Sequence, residues 1–434
     1  MNFPVWEVPL LGGGMLIAAI AVFHVFISHF AVGGGFFLVL TERKAYRDNN
    51  TAMLQYVKKH SKFFLLLTLV LGAVTGVAIW FVIGLVQPAG TSALIHSFVW
   101  GWAIEWVFFI VEVLSIIIYV AMWDKMDKAT HLTIGWIYAA SGFLTLAVIN
   151  GIVSFMLTPG SWVETKSFWD GVFNPTYFPS LVSRFLVALM FAGVYAFLTS
   201  TLLKDMDTRA TITKYASTWV LPALLLLPLA FWWYYTQIPD SAKEIIDGGI
   251  PYIQTTAVSV IISAALLLLF VLVGPFWRPR SFNFYQAVVV LLVASAIMFS
   301  WERVREAARK PFIIHDYMYA NGVRVDDFDA IQSAGLLTSG KWFSQKTLDE
   351  SNEVMMGKEI FRAQCASCHT IDGYQNIRQY LVDRTPDDLD VIISDLSSFR
   401  GFMPPFAGTD EERLALVTYL MTVKPAGSME GGQQ

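Results

Sequence analysis

Eight apolar stretches, each long enough to cross a bilayer core of ~30 Å, lie near residues 9–40, 63–87, 94–122, 132–157, 181–203, 215–236, 255–276 and 284–305. Few folds accommodate that pattern. In hydrocarbon every backbone N–H and C=O must be satisfied inside the protein, so stretches of this length have to be helices. Charged residues make up 15% of the chain, against roughly a quarter in an average soluble domain. They gather in the gaps between stretches and again beyond residue 300. The expectation is an all-α fold, with a polytopic membrane helix bundle of about eight spans over residues 1–312 and a small helical domain after it. The first stretch is longer than one span needs, so it tilts or begins outside the hydrocarbon at Gly12–Gly14. Its start lacks the basic region and cleavage site of a signal peptide, and it reads as a retained span.

Lysine and arginine set the orientation. The gap after the first stretch holds Arg43, Lys44, Arg47, Lys58, Lys59 and Lys62. Later gaps on that side hold Lys125 with Lys128, then Lys204, Arg209 and Lys214, then Arg278 and Arg280. The opposite gaps hold only Lys166 and Lys243. The basic side is expected to be cytoplasmic, in a bacterial inner membrane, with both termini on the periplasmic side. Trp232, Trp233, Tyr234 and Tyr235 suit an outer aromatic belt, and Trp123 and Trp277 an inner one. With a net charge of −4 and no basic tract, lipid rather than nucleic acid is the expected surrounding.

The C-terminal region carries the most specific motif. Residues 365–369 read Cys-Ala-Ser-Cys-His, and these are the chain's only two cysteines. CxxCH is the attachment signature of c-type haem. Cys365 and Cys368 can each form a thioether to one macrocycle, which puts His369 at the iron. Met403-Pro404-Pro405-Phe406 follows on a loop, where Met403 can supply the second axial ligand and raise the potential relative to two imidazoles. Met355 and Met356 are the competing thioethers. Residues 313–350 read as a linker, 351–425 as a cytochrome c domain and 426–434 as a tail. Covalent haem attachment takes place outside the cytoplasm, in agreement with the charge asymmetry.

Ionisable groups inside spans are costly and are functional candidates by default. His24 and His29, five residues apart, face about 140° from each other on a helix, so at most one can ligate a given haem. Glu105 and Glu112 are two turns apart on one helix face, ~10 Å along the axis, a spacing suited to passing protons. The last stretch ends in Trp301-Glu302-Arg303-Val304-Arg305-Glu306-Ala307-Ala308-Arg309-Lys310-Pro311-Phe312. That charge is either interfacial solvation or a set of arginines for haem propionates with a glutamate turned inward. His29, His96 and His315 are weaker ligand candidates. His60 and His131, at the basic boundary, read as structural or solvated.

These residues resemble the large subunit of the cytochrome bd oxidases over about residues 10–315. Phe23-His24 followed by Gly33-Gly34-Gly35-Phe36-Phe37 is similar to the family's segment bearing its active-site haem histidine. Ala103-Ile104-Glu105 looks like its Ala-Ile-Glu, and Glu112 falls one residue short of the place of its second glutamate. Asn150-Gly151 and Asn174-Pro175 recur in step. Glu306-Ala-Ala-Arg309-Lys310-Pro311-Phe312 resembles the family's segment with a haem-ligating glutamate and a propionate-binding arginine. The resemblance implies one or two non-covalent haems, b and/or d, held by His24, Glu306 and Arg309, with Glu105 and Glu112 serving the chemistry. The departures are equally informative. The histidine for the family's low-spin haem b aligns with Ser183, or at best beside Arg184. Its methionine partner falls in Val260-Ile261-Ile262, and the long quinol-binding loop shrinks to residues 237–254.

Two functions remain open on the sequence. In the first, haem c on the outer face exchanges electrons with buried haems, and a periplasmic c-type cytochrome supplies electrons that reduce oxygen or a similar small oxidant. In the second, the chain is a non-oxidase subunit passing electrons between membrane quinone and periplasmic cytochromes. The resemblance implies at least one further membrane subunit.

Overall fold

The structure is a computed structural model, and it describes residues 3–425; the expected tail, 426–434, lies outside the described residues. Among these, eight helices are long and apolar enough to cross a membrane, as the apolar stretches predict. They are α1 (Gly13–Arg47), α2 (Thr51–Val86), α3 (Val99–Ala121), α4 (Lys128–Phe155), α5 (Tyr177–Ser200), α6 (Met206–Gln237), α7 (Tyr252–Phe276) and α8 (Phe284–Ala308).

Local chemistry sets the helix starts at the basic turns. The side chain of Asn50 accepts from Met53 N ahead of α2, Asp127 from Ala129 N and Thr130 N ahead of α4, and Asp205 from Thr208 N ahead of α6. Each satisfies amides that the first helical turn leaves unpaired. The cap at Asn50 also explains why α2 begins well before the hydropathy rises. Its first turns hold Lys58, Lys59 and Lys62, good helix formers that keep the helix going into solvent.

The chain divides into two compact units. The larger covers residues 22–77 and 98–308. Its central helix is α5, with 56% of its most apolar window buried, against 17% for α2, α3 and α7. The last three present large apolar side chains outward, such as Val77, Trp106, Ile261 and Leu266, because lipid is as good a solvent for them as protein. Aromatic contacts fill the interior, with Phe30 stacked on Tyr195 at 3.9 Å between centroids and Phe26 edge-on to Phe191 at 4.8 Å.

The smaller unit joins the residues up to 21, residues 78–97 and the chain from 309 onward. It contains a hairpin of β1 (Phe312–Ile314) and β2 (Met318–Tyr319), then α9 (Glu353–Gln364), α10 (Pro386–Ser394) and α11 (Asp410–Val423). Helices α9 and α11 cross closely at Gly357, where a β-carbon would collide with the Ala415 carbonyl. Around that crossing Met356, Ile360, Phe361, Leu416 and Leu420 form a core.

Residues 313–350 are more than the linker expected. Leu336, Leu337 and Phe343 belong to the same core, and the buried Glu412 carboxylate accepts from Leu336 N at 2.7 Å and Leu337 N at 2.8 Å. Nor does the membrane domain take all of residues 1–312. Leu10 O accepts from Tyr374 N at 2.8 Å, and Glu7 pairs with Arg362. Both contacts are long-range, so no local pattern announces them.

Candidate functional site

The CxxCH motif follows directly on α9. One tight turn brings its parts together, with Cys368 N and His369 N both donating to Cys365 O at 3.1 and 2.9 Å. His369 Nδ1 donates to Gln375 O at 3.1 Å, which leaves Nε2 carrying the free lone pair, the form that binds iron. Burial lowers the pKa of His369 below its usual value, which favours the neutral ring. Burial, and then Cys368, pushes the Cys365 thiol up to about 12, far from the thiolate that dithiol exchange needs. Gln364, one residue before the motif, ties in the methionine loop, its Nε2 donating to Ala407 O at 2.9 Å. Met403 is half-buried on that loop. Met356 is locked in the core and Met355 is exposed, so neither competes well. The residues fit a covalent haem.

In the larger unit His24 turns from α1 toward α2. Its Nδ1 lies 3.0 Å from Thr75 Oγ1. The Thr75 hydroxyl gives its hydrogen to Leu71 O at 2.6 Å, so it accepts from His24 Nδ1–H and again leaves Nε2 free. Gly76 gives the ring its room, since a β-carbon there would stand 3.2 Å from His24 Cε1. These features fit a haem ligand. His29 is 3% exposed and donates Nδ1–H to Val25 O at 2.7 Å. The two histidines therefore have different partners, His24 a hydroxyl on a neighbouring helix and His29 a carbonyl of its own.

The charged end of α8 divides its labour differently from the expectation. Glu302 is the carboxylate held inside, with Arg305 Nε at 2.8 Å and Arg184 Nη2 at 4.0 Å. Arg303 lies over the Tyr252 ring, exposed. Glu306 is half-buried, and Arg309, 7% exposed, donates to Ile313 O at 3.2 Å. Ser183 is buried with its hydroxyl on Pro179 O at 2.7 Å, a side chain already satisfied by its own helix.

Two histidines read as boundary residues are fully inside. His60 is 1% exposed, with Nδ1 2.9 Å from Thr199 Oγ1 and an aromatic wall of Phe37, Tyr56 and Phe63. His131 is 2% exposed, its Nδ1 2.7 Å from Glu42 Oε1 and its Nε2 2.9 Å from Tyr119 O. The Tyr119 hydroxyl donates to Glu42 Oε2 at 2.6 Å. Their helices run on from exposed, charged turns, yet both rings turn back into the bundle, which position along a hydropathy profile does not disclose. His96 donates to Ser92 O at 2.7 Å, and His315 lies 3.0 Å from Asp316.

The α3–α4 pairing makes a ladder. On α3 the residues are Glu105, Glu112 and Tyr119, and on α4 His131, Tyr138 and Thr145, each seven apart. The helices are antiparallel neighbours, so Tyr119 meets His131, and Tyr138 OH donates to Glu112 Oε1 at 3.3 Å. Gly142 faces the same carboxylate at 3.4 Å from where its β-carbon would be. The buried Thr145 hydroxyl has no partner among the described residues. Glu42, Tyr119 and His131 escape a sequence reading that counts only acidic residues in mid-span; the seven-residue repeat on α4 is the signal that was there to find.

The model of the family described as cytochrome bd terminal oxidase subunit I matches residues 15–233, and that of cytochrome c oxidase, cbb3-type, subunit III matches residues 352–420. The chain belongs to the cytochrome bd terminal oxidase subunit I family. The bd oxidase structure from Geobacillus thermodenitrificans is similar in fold, with a TM-score of 0.61 at 14% identity over 70% of this chain and 88% of that one. No curated protein matches. Membership of the bd family implies haems of the b and d types, and the cytochrome c domain implies haem c. The family match covers His24, Glu105, Glu112 and Ser183, and it ends before Glu306 and Arg309.

Proposed function

We propose that this bd-family chain is a membrane oxidoreductase that takes electrons from a periplasmic c-type cytochrome and uses them to reduce oxygen or a similar small oxidant. The observation that carries this reading is one chain holding both a bd-type bundle and a cytochrome c domain; Ser183, where the resemblance sets the family's low-spin haem histidine, has its hydroxyl on Pro179 O. Haem, when bound, supplies one-electron chemistry and, where a coordination position stays open, chemistry on a small oxidant.

The chain's residues do the rest. Cys365 and Cys368 would anchor a covalent haem and His369 Nε2 and Met403 would offer its iron a nitrogen and a thioether, while the Gln375 carbonyl holds the imidazole with Nε2 free. In the bundle, His24 offers Nε2 with its ring set by Thr75 and Gly76. Glu306 and Arg309 are proposed for the second iron and for propionates. Glu105 and Glu112 hold and pass protons along α3. This reading puts both termini on the periplasmic side of a bacterial inner membrane and adds a second membrane subunit to complete the complex. A reporter that works only after export, fused behind Gln434, is active in that topology and silent in the inverse one.

The test is the optical spectrum of the reduced protein with and without carbon monoxide. A shift shows an iron with an open position, as the proposal requires. A spectrum without a shift favours the electron-transfer reading, in which the chain connects membrane quinone and periplasmic cytochromes.

A further inference from the structure

We infer that Glu42, His131 and Tyr119 form a proton-loading site that feeds the α3–α4 ladder from the basic end of the bundle. The inference rests on the proposed reduction of an oxidant, which consumes protons.

The hydrogen-bond geometry assigns the protons. His131 Nε2 faces the Tyr119 carbonyl at 2.9 Å, and a carbonyl only accepts, so Nε2 carries a hydrogen. Nδ1 faces Glu42 Oε1 at 2.7 Å. One further proton therefore lies between ring and carboxyl, on nitrogen with Glu42 ionised or on oxygen with the ring neutral. Glu42 is at 0% exposure, so bulk water offers its carboxyl no substitute for these partners. The Tyr119 hydroxyl, donating to Oε2 at 2.6 Å, completes the carboxyl's partners on α3. The other titratable groups near Glu42 are Tyr46, one turn along α1, and Lys128, whose ammonium lies 4.8 Å from the Tyr46 ring. This differs in kind from the Arg184–Glu302–Arg305 network, where guanidinium groups hold their protons permanently.

Position supplies the direction. His131 N donates to Asp127 O at 3.0 Å, and Asp127 is the exposed cap of α4, so the pair stands one turn from solvent. Going inward on α3, Glu112 lies two turns from Tyr119 on one helix face, with the buried Ser115 between them donating to Val111 O at 2.6 Å. The step is a replacement. The pair's shared proton moves along this face of α3 toward Glu112 and Tyr138, and a proton from water at the basic end restores the pair. Each delivered proton joins the reduced oxidant with one electron from the cytochrome donor, so that with oxygen the product is water.

The experiment measures proton uptake when the intact, haem-loaded protein in liposomes is reduced, using a pH dye at the basic end. Glu42→Gln should slow uptake at least about tenfold and make its rate fall with bulk proton concentration as pH rises. Glu42→Asp should recover most of the rate, and Tyr119→Phe, which leaves the ring packing intact, should slow it less. A merely structural role would leave the pH profile unchanged in every variant that keeps its haem. Uptake by Glu42→Gln and Tyr119→Phe at the wild-type rate and pH profile overturns the inference. Failure of the proposed function looks different: the wild-type protein then shows no buried haem with an open position in its carbon monoxide spectrum.

Discussion

The cytochrome c unit and the bundle interior prepare a histidine in the same chemical form by very different routes. His369 is oriented by a carbonyl six residues further on, Gln375 O. His24 is oriented by a hydroxyl on another helix, Thr75, fifty-one positions away. Both keep Nε2 free. The first site is assembled by one turn of chain and belongs to its segment, whereas the second exists only after α1 and α2 have packed. That contrast separates what each substitution should cost.

The largest effect falls on the local site. Replacing Cys365 and Cys368 together by Ala should abolish covalent haem, read as loss of haem stain on a denaturing gel, while the bundle keeps its non-covalent spectrum. Loss of both signals would mean that the two units do not load independently. Next in size, His24→Ala and Glu306→Ala should each lose non-covalent haem or shift its spectrum with covalent haem intact, whereas Ser183→Ala, whose hydroxyl is spent on Pro179 O, should leave haem content unchanged. Full haem with an unaltered spectrum in both His24 and Glu306 variants would remove the bundle half of the comparison.

Met403→Ala should keep covalent haem, lower its reduction potential and let external ligands reach the iron. An unchanged potential would assign the second axial position to another residue. The smallest effect tests the orienting partner itself. Thr75→Val keeps shape but removes the acceptor for His24 Nδ1–H, and should weaken non-covalent haem binding about tenfold, the low end for a lost partner behind a metal ligand. Thr75→Ser should restore it. No loss on Thr75→Val would show that packing against Gly76 alone sets the ring.

The same contrast explains what the sequence discloses. Cys365, Cys368 and His369 are contiguous and chemically specific, so they read directly. The eight spans read from hydropathy because lipid demands it of each helix separately. The start of α2 did not, because Lys58 and Lys59 lower hydropathy without breaking a helix capped at Asn50. The core role of Leu336 and Leu337 stayed hidden because the partner that fixes them, Glu412, is seventy-six residues from Leu336. His131 was placed among boundary residues because its meaning depends on Glu42, on another helix. Glu105 and Glu112 were legible as a pair on one face, while Tyr138, the donor to Glu112, was not. Polar groups built from several helices leave only a seven-residue rhythm on each.

The central claim is that electrons reach this chain from outside through its cytochrome c domain. Oxygen consumption by the purified complex, driven in turn by a reduced soluble c-type cytochrome and by a quinol, tests it most directly. The account predicts turnover with the cytochrome, lost when Cys365 and Cys368 are replaced, and none with the quinol. Turnover with quinol that survives that replacement, with the reduced cytochrome inert, would contradict it.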